Sequence, residues 1–134
     1  CGLLLQSGND CAAAIAEHIS GSQEAFAELM NTEAKQLGAT GTHFVNPHGL
    51  HDENHYTTTY DLYLMFNEAL KDQAFLDIIS MNSYTAKVTS ADGTSYTPTW
   101  QATNYYSAGD ATPPDGIHVY GGKTGTGRKL CNFI

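Results

Sequence analysis

The chain has 134 residues and a formal net charge of −8, from 14 acidic and 6 basic side chains, and 41% of its residues are hydrophobic. This length and apolar content are typical of one globular domain with its own core, which excludes disorder throughout. The acidic balance argues against a nucleic-acid partner or an anionic membrane surface, because both need clustered basic side chains. Only Lys123, Arg128 and Lys129 stand close together.

The first residue is Cys1 rather than Met, with no charged and apolar leader behind it, which predicts an internal piece of a longer chain. A lipidated cysteine is the alternative, but an apolar, helix-like segment follows where a polar tether would be expected. No apolar run approaches the roughly 20 residues that cross a bilayer. The three cysteines, Cys1, Cys11 and Cys131, are too few and too irregular for a disulfide framework or a zinc site.

The first part of the chain has a helical pattern. Leu3 to Leu5 form the last turn of a first predicted helix. A second is predicted from Asp10, as N-cap, to a stop at Gly21. A third opens at Ser22 and carries apolar residues at three- and four-residue spacing up to Gly38, its predicted C-cap.

Residues 39–58 are rich in Gly, His, Asn and Thr and have no sustained period, so they are predicted to form a long ordered loop. Such loops in compact domains are usually functional or disordered, and the interspersed apolar residues favour order. Two more helices are predicted at about 59–71 and 73–80. Asp61 then lies in the first turn of a helix, where an acidic side chain favours the dipole.

The second half changes character. The runs 84–89 and 95–99 are rich in Thr, Tyr and Val and flank Ala91-Asp92-Gly93, which predicts a hairpin. Residues 104–116 are predicted to form an exposed loop. Strands are predicted at Ile117–Tyr120 and Leu130–Ile134, joined across a Gly-rich stretch. The fold class is therefore α+β, with helices first and strands later.

Two short motifs could carry chemistry. Ser7-Gly8-Asn9 has the form S-x-N between two predicted helices, and Lys123-Thr124-Gly125 has the form K-T-G on a predicted strand. Taken singly, the first is usually a turn with capping side chains and the second a strand end that runs into a hairpin. As a pair, together with an S-x-x-K motif, they are the signature of penicillin-binding proteins and related β-lactamases.

In the order of its segments, the sequence resembles the serine D-alanyl-D-alanine carboxypeptidases, the low-molecular-weight penicillin-binding proteins. The resemblance covers nearly the whole chain, from the S-x-N motif to just past the K-T-G motif. It is carried by Gly2-Leu-Leu-Leu-Gln-Ser-Gly-Asn-Asp10, Ala16-Glu-His-Ile19, Thr42-His-Phe-Val-Asn-Pro-His-Gly-Leu50, His55-Tyr-Thr-Thr58 with Tyr60-Asp-Leu62, and Gly122-Lys-Thr-Gly-Thr126.

The resemblance implies a penicillin-binding-protein or β-lactamase-like transpeptidase fold, present here as one partial domain over 1–134. Residues 1–82 would be its mostly helical subdomain, and residues 83–134 would supply a hairpin, a loop and the K-T-G strand of a partial antiparallel sheet. The implied reaction trims the terminal D-Ala of peptidoglycan stem peptides through an acyl-enzyme. Penicillins acylate the same site, no cofactor takes part, and the location is extracytoplasmic, in the bacterial envelope or secreted.

The resemblance also implies roles for individual residues. Ser7 matches the serine that helps relay a proton to the leaving amine, and Asn9 matches the asparagine that contacts the substrate amide and the catalytic lysine. Lys123 would supply a fixed positive charge beside the site. Thr124 and Thr126 would place hydroxyls near the substrate carboxylate, and the Thr126 N–H would form half of the oxyanion hole. At Gly125 a side chain would obstruct the substrate's approach to the strand.

The family's nucleophile is a serine with a lysine three residues later, and no S-x-x-K occurs in these residues. The chain is therefore predicted to be inactive alone, with its nucleophile upstream of Cys1. Arg128-Lys129 also stands where the family usually has a small pair such as Ala-Gly, which bears on the hairpin geometry.

Other interpretations stay open. A class A-type β-lactamase carries the same motifs, and a non-catalytic module that binds cell-wall peptide would keep the same fold. A metal site at the histidines His48, His51 and His55 is disfavoured, because loop spacing of this kind is usually solvated or capping. Exposed edges at Ile117–Tyr120 or Leu130–Ile134 predict self-association by strand pairing.

Overall fold

The computed structural model describes residues 1–126 and 131–133. These residues form six helices, α1 to α6 in chain order: Gly2–Gln6, Asn9–Ser20, Gln23–Gln36, Thr59–Ala69, Gln73–Ile79 and Tyr105–Ala108. They also form six short strands, β1 to β6: Ser83–Thr85, Val88–Thr89, Ser95–Tyr96, Thr99–Gln101, Thr124–Thr126 and Cys131–Phe133. The predicted α+β class is confirmed.

Helix α1 lies at the centre of the described core, in contact with α2, α5 and β4. Its Leu5 is only 2% exposed, and the other buried apolar side chains are mostly alanines of α2 and α3. Small side chains let helices approach closely, so these short helices bury a compact core in which Leu5 and Ile79 are the large residues among the described ones. None of the described helices is long and apolar enough to span a membrane.

The predicted N-cap of α2 at Asp10 is wrong by two residues. Gly8 is the N-cap, and Asp10 lies in the first turn, where its carboxylate accepts a hydrogen bond from the Cys11 N–H at 2.9 Å. The reason is the tight end of α1: Ser7 is its left-handed C-cap, and the Gly8 N–H already donates to the Gly2 carbonyl. Only two residues, Ser7 and Gly8, therefore separate the two helices.

The end of α3 is one residue before the predicted cap. Leu37 is the C-cap, and Gly38 follows it with a φ of 82°. The Gly38 N–H donates to Lys35 and the Ala39 N–H to Ala34, which is the pattern of a Schellman motif. Glycine suits this position because a left-handed conformation strains residues that carry a Cβ.

Residues 39–58 form the predicted ordered loop. The Asn31 side chain of α3 clamps the loop by exchanging two hydrogen bonds with the Phe44 backbone, at 2.7 and 2.8 Å. His43 and Tyr56 form an antiparallel bridge across the loop. The loop is thus held by backbone pairing and by a side chain from a neighbouring helix.

Asp61 has a larger role than the helix-dipole position that the sequence indicated. Its side chain is only 5% exposed, and one carboxylate oxygen accepts from the Gly41 N–H at 2.8 Å and from the Thr42 hydroxyl at 2.6 Å. Hydrogen bonds to a charged acceptor are stronger than neutral ones. Asp61 therefore anchors the start of the loop to α4.

We expect Asp61→Ala to lower the free energy of unfolding by about 2 kcal/mol, because the partly buried Gly41 N–H and the Thr42 hydroxyl lose their acceptor. Urea denaturation measures this. Asp72→Ala is the control, since Asp72 is an exposed N-cap that accepts one backbone N–H of α5, and its loss typically costs about 1 kcal/mol. Equal losses in the two variants would contradict the anchoring role.

The predicted hairpin is confirmed. Strands β2 and β3 pair antiparallel with Thr89 opposite Ser95, and the Ser90 N–H donates to Thr94 beside the turn. Strands β1 and β4 continue the pairing, with Tyr84 opposite Trp100 and the two rings stacked. Trp100 also packs over Gly2, which joins the hairpin to α1.

Residues 104–116 are not only the predicted loop, because they contain helix α6. The Asn104 side chain caps it by accepting from the N–H groups of Tyr106 and Ser107, and Gly109 ends it in the left-handed conformation. A helix of four residues gives no periodic pattern in a sequence. Its signal was the pair of capping residues, Asn104 and Gly109.

The predicted strand at Ile117–Tyr120 is wrong. The Ile117 N–H instead closes a turn on the Pro114 carbonyl, and the next four residues pair with no strand among the described residues. The K-T-G strand β5 pairs antiparallel with β6, Thr126 opposite Cys131. Residues 127–130 and 134, with Arg128-Lys129 and the outer residues of the predicted last strand, lie outside the described residues. Self-association through a strand edge stays a prediction for β6 alone.

Candidate active site

Ser7 occupies the turn between α1 and α2 in a strained conformation. Its φ of 56° and ψ of 39° are left-handed, and it is the sole residue other than glycine with a positive φ in the described part of the chain. Its side chain is exposed. Non-glycine residues adopt this conformation at a cost, and such outliers concentrate at functional sites. The turn points to a functional constraint on Ser7.

Lys123 reaches this turn from the far end of the sequence. Its Nζ donates to the Ser7 Oγ at 2.6 Å and to the Thr124 carbonyl at 2.5 Å. Burial lowers the pKa of the Lys123 amine from its ordinary value, because a less polar surrounding disfavours the charged form. Within residues 1–126 and 131–133, no carboxylate lies within ion-pair distance of this amine. The site therefore offers a positive charge to an external anion.

Strand β5 begins directly after Lys123 and consists of Thr124, Gly125 and Thr126. The Thr124 Oγ1 lies 2.7 Å from the Thr103 Oγ1. Gly125 is exposed, and a Cβ built on it would meet nothing within 4 Å. The Thr126 backbone lies opposite Cys131. A ligand could thus lie along the open side of Gly125 beside a hydroxyl and an ammonium group.

Asn9 is not joined to this network. It is the first residue of α2, exposed, and within the described residues its side chain has no hydrogen-bond partner. The structure therefore brings Ser7, Lys123 and Thr124 together and leaves Asn9 two residues away with its amide free.

The approach to the K-T-G strand depends on a close backbone contact. Gly121 has a φ of 148°, and a Cβ there would lie 2.1 Å from the Ile79 carbonyl oxygen. Gly122, the next residue, is buried. The end of α5 therefore fixes the path of the chain immediately before Lys123.

Sequence reasoning missed Thr103. Its hydroxyl contacts Thr124, and its backbone N–H donates to the Leu5 carbonyl of α1 at 3.1 Å. No sequence signal singles it out, because threonine is common near strand ends and the contact spans 21 positions. Among the described residues, no three His, Cys, Asp or Glu side chains are arranged to hold a metal ion.

The arrangement joins two motifs that lie at opposite ends of the chain. A serine hydroxyl hydrogen-bonded to a lysine amine can relay a proton, and a lysine beside a threonine hydroxyl can bind a carboxylate. The described residues thus bring a serine hydroxyl, a lysine amine and a threonine hydroxyl into one hydrogen-bonded group. The chain belongs to the D-alanyl-D-alanine carboxypeptidase family, peptidase S11, whose model matches residues 1–132.

Relatives carry the same description. The chain is 50% identical over 70 residues to the D-alanyl-D-alanine carboxypeptidase DacF of Bacillus subtilis, a match that covers 52% of this chain and 18% of that protein. It is 37% identical over 110 residues to the D-alanyl-D-alanine carboxypeptidase of Streptomyces sp. strain K15, covering 77% and 38%.

Solved structures share the fold. The Streptomyces K15 DD-transpeptidase matches with a TM-score of 0.83 and 31% identity, over 95% of this chain and 49% of that chain. The D-alanyl-D-alanine carboxypeptidase of Mycobacterium tuberculosis H37Rv matches with a TM-score of 0.75 and 30% identity, over 95% and 44%. The chain spans about half the length of these structures.

Proposed function

We propose that these residues form the S-x-N and K-T-G part of a serine-type D-Ala-D-Ala carboxypeptidase, which trims the terminal D-Ala from peptidoglycan stem peptides. The observation that carries the proposal is the 2.6 Å hydrogen bond from the Lys123 Nζ to the Ser7 Oγ. It joins two motifs 116 positions apart, so neither is merely a local turn or strand end. Family membership supports the same reaction.

In this proposal Ser7 and Lys123 move and stabilise charge. Ser7 relays the proton to the leaving amine, and the amine of Lys123 orients its hydroxyl. The side-chain amide of Asn9 has no hydrogen-bond partner in the described part of the chain. In this proposal it forms hydrogen bonds with the substrate amide and with the lysine of the S-x-x-K motif. An amide with both a donor and an acceptor suits that double contact.

The strand β5 binds the peptide end. The Thr124 hydroxyl and the Lys123 charge hold the terminal carboxylate, and the backbone N–H of Thr126 contributes to the oxyanion hole. The open side of Gly125 leaves room for the peptide against the strand. A free carboxylate is therefore the expected specificity determinant.

The proposed ligands follow from this chemistry. Stem peptides that end in D-Ala-D-Ala are the substrates, and β-lactams, which carry a carboxylate beside a reactive amide, are inhibitors. Such peptides lie outside the cytoplasm, which makes an extracytoplasmic location part of the proposal. The matched relatives are carboxypeptidases and a transpeptidase, which favours this reaction over that of a β-lactamase.

Penicillin labelling tests the proposal. The sequence of 134 residues has no S-x-x-K, so we expect a fluorescent penicillin to leave the 134-residue chain unlabelled. The full-length gene product should be labelled at a serine of an S-x-x-K motif outside these residues. Mass spectrometry of the digested protein locates the adduct.

Two outcomes would overturn parts of this proposal. An adduct on any of the 134 residues would show that the chain supplies its own nucleophile. A full-length product that binds D-Ala-D-Ala peptide, shown by thermal stabilisation, but is neither acylated nor active would indicate a non-catalytic binding module.

A further inference from the structure

Thr103 contacts both halves of the candidate site. It follows β4, and its Oγ1 lies 2.7 Å from the Thr124 Oγ1 of the K-T-G strand. Its backbone N–H donates at 3.1 Å to Leu5, which is buried in α1 two residues before Ser7. Thr103 therefore connects the helix that leads to Ser7 with the strand that carries Thr124.

The direction of the hydroxyl pair matters for an anionic ligand. A threonine hydroxyl has one hydrogen to donate and two lone pairs that accept, whereas a carboxylate only accepts. If Thr124 donates to Thr103, its hydrogen is not available to a carboxylate. If Thr103 donates to Thr124, the Thr124 hydrogen is free, and polarisation along the chain of hydrogen bonds strengthens the next bond.

We propose that Thr103 is a positioning residue that donates to Thr124 and so directs the Thr124 hydroxyl hydrogen toward the carboxylate of the peptide. The inference rests on the proposed function of Thr124. Thr103 itself is exposed, and its backbone bond to Leu5 does not involve the hydroxyl. Removal of the hydroxyl alone therefore leaves the backbone connection to α1 intact.

The hairpin offers a matched control. Thr85 and Thr99 also pair their hydroxyls, at 2.8 Å across β1 and β4, and both are exposed. Thr99 precedes Thr103 by four residues, but among the described residues it makes no hydrogen bond to the K-T-G strand. Thr99→Val thus removes the same kind of hydrogen bond at a position outside the site.

The test uses the full-length gene product and a peptide that ends in D-Ala-D-Ala. We expect Thr103→Val to raise KM about three- to tenfold, the usual worth of one hydrogen bond, with kcat changed less than about twofold. Thr103→Ser keeps the hydroxyl and should restore KM, and Thr99→Val should leave both constants unchanged. If Thr103→Val does not fold, as judged by circular dichroism, Thr103→Ala replaces it.

A second readout separates positioning from a structural effect. Inhibition constants are measured for two competing peptides, one with a free terminal carboxylate and one with a carboxamide. Thr103→Val should raise the inhibition constant of the carboxylate peptide severalfold and leave that of the carboxamide peptide unchanged. In a Thr124→Val background the substitution should have no further effect, because the hydroxyl that it orients is gone.

The possible failures are distinguishable. Three results would overturn the positioning role and leave the proposed function intact. They are an equal rise in the inhibition constants of both peptides, a KM that Thr103→Ser does not restore, and an unchanged KM in an active Thr103→Val enzyme. A wild-type product that neither cleaves D-Ala-D-Ala peptide nor reacts with penicillin would overturn the proposed function, and this inference with it.

Discussion

Replacing Lys123 by glutamine should lower the rate constant for penicillin acylation of the full-length gene product by about a hundredfold or more. Removal of one preorganised electrostatic group from an active site typically has an effect of this size. The substitution takes away the donor to Ser7 and a charge that no described carboxylate neutralises. Stopped-flow or gel-based labelling over a range of penicillin concentrations measures the loss.

Two variants test the cause of that loss. Lys123→Arg keeps the charge but replaces the compact ammonium group by a longer, planar guanidinium, which does not match the position of the lysine nitrogen between the Ser7 hydroxyl and the Thr124 carbonyl, so activity should stay low. Ser7→Ala removes the partner hydroxyl and should also slow acylation. Near wild-type acylation by Lys123→Gln would contradict a role for this amine.

The pH dependence has a defined direction. Because burial lowers the pKa of Lys123, its charge is lost at a lower pH than the charge of an exposed lysine. In a plot of acylation rate against pH, the alkaline decline should therefore begin at a lower pH than an ordinary lysine would give. The unfolded chain binds the proton more tightly in the interval between the two pKa values, so this group's contribution to stability rises with pH there. Lys123→Gln should abolish both effects.

Replacing Gly121 by alanine should lower the free energy of unfolding by about 3 kcal/mol and also impair acylation. An alanine at a φ of 148° is strained, and its Cβ would overlap the Ile79 carbonyl oxygen at 2.1 Å. That atom belongs to the backbone at the end of α5, so it cannot rotate away. Relief requires a shift of Gly122 and Lys123, which displaces the amine from Ser7.

Gly125→Ala is the matched control for stability. Gly125 lies in β5 with nothing within 4 Å of a built Cβ, and its φ is not positive, so urea denaturation should give a midpoint close to the wild type. If Gly121→Ala were as stable as Gly125→Ala, the close approach of the chain to α5 would not be a constraint on the site.

Local signals in the sequence were sufficient for most elements. Glycines and capping side chains placed the ends of α2 and α3 within two residues, and the Asp92-Gly93 turn placed the hairpin. Elements without such a signal were missed or misplaced. Helix α6 is too short to be periodic, and Ile117–Tyr120 has strand-forming residues but no partner strand among the described residues.

By itself, the sequence determined the α+β class and the two motifs, because turn chemistry and periodicity are local properties of the chain. The tertiary structure decided which residues meet. Only folding brings Lys123 to Ser7, Thr103 to Thr124 and Asp61 to the loop at Gly41, since each contact joins residues at least 20 positions apart. The first two contacts depend on the packing of α1 and α5 against later segments and the third on the packing of α4 against the loop, and no local pattern encodes that packing.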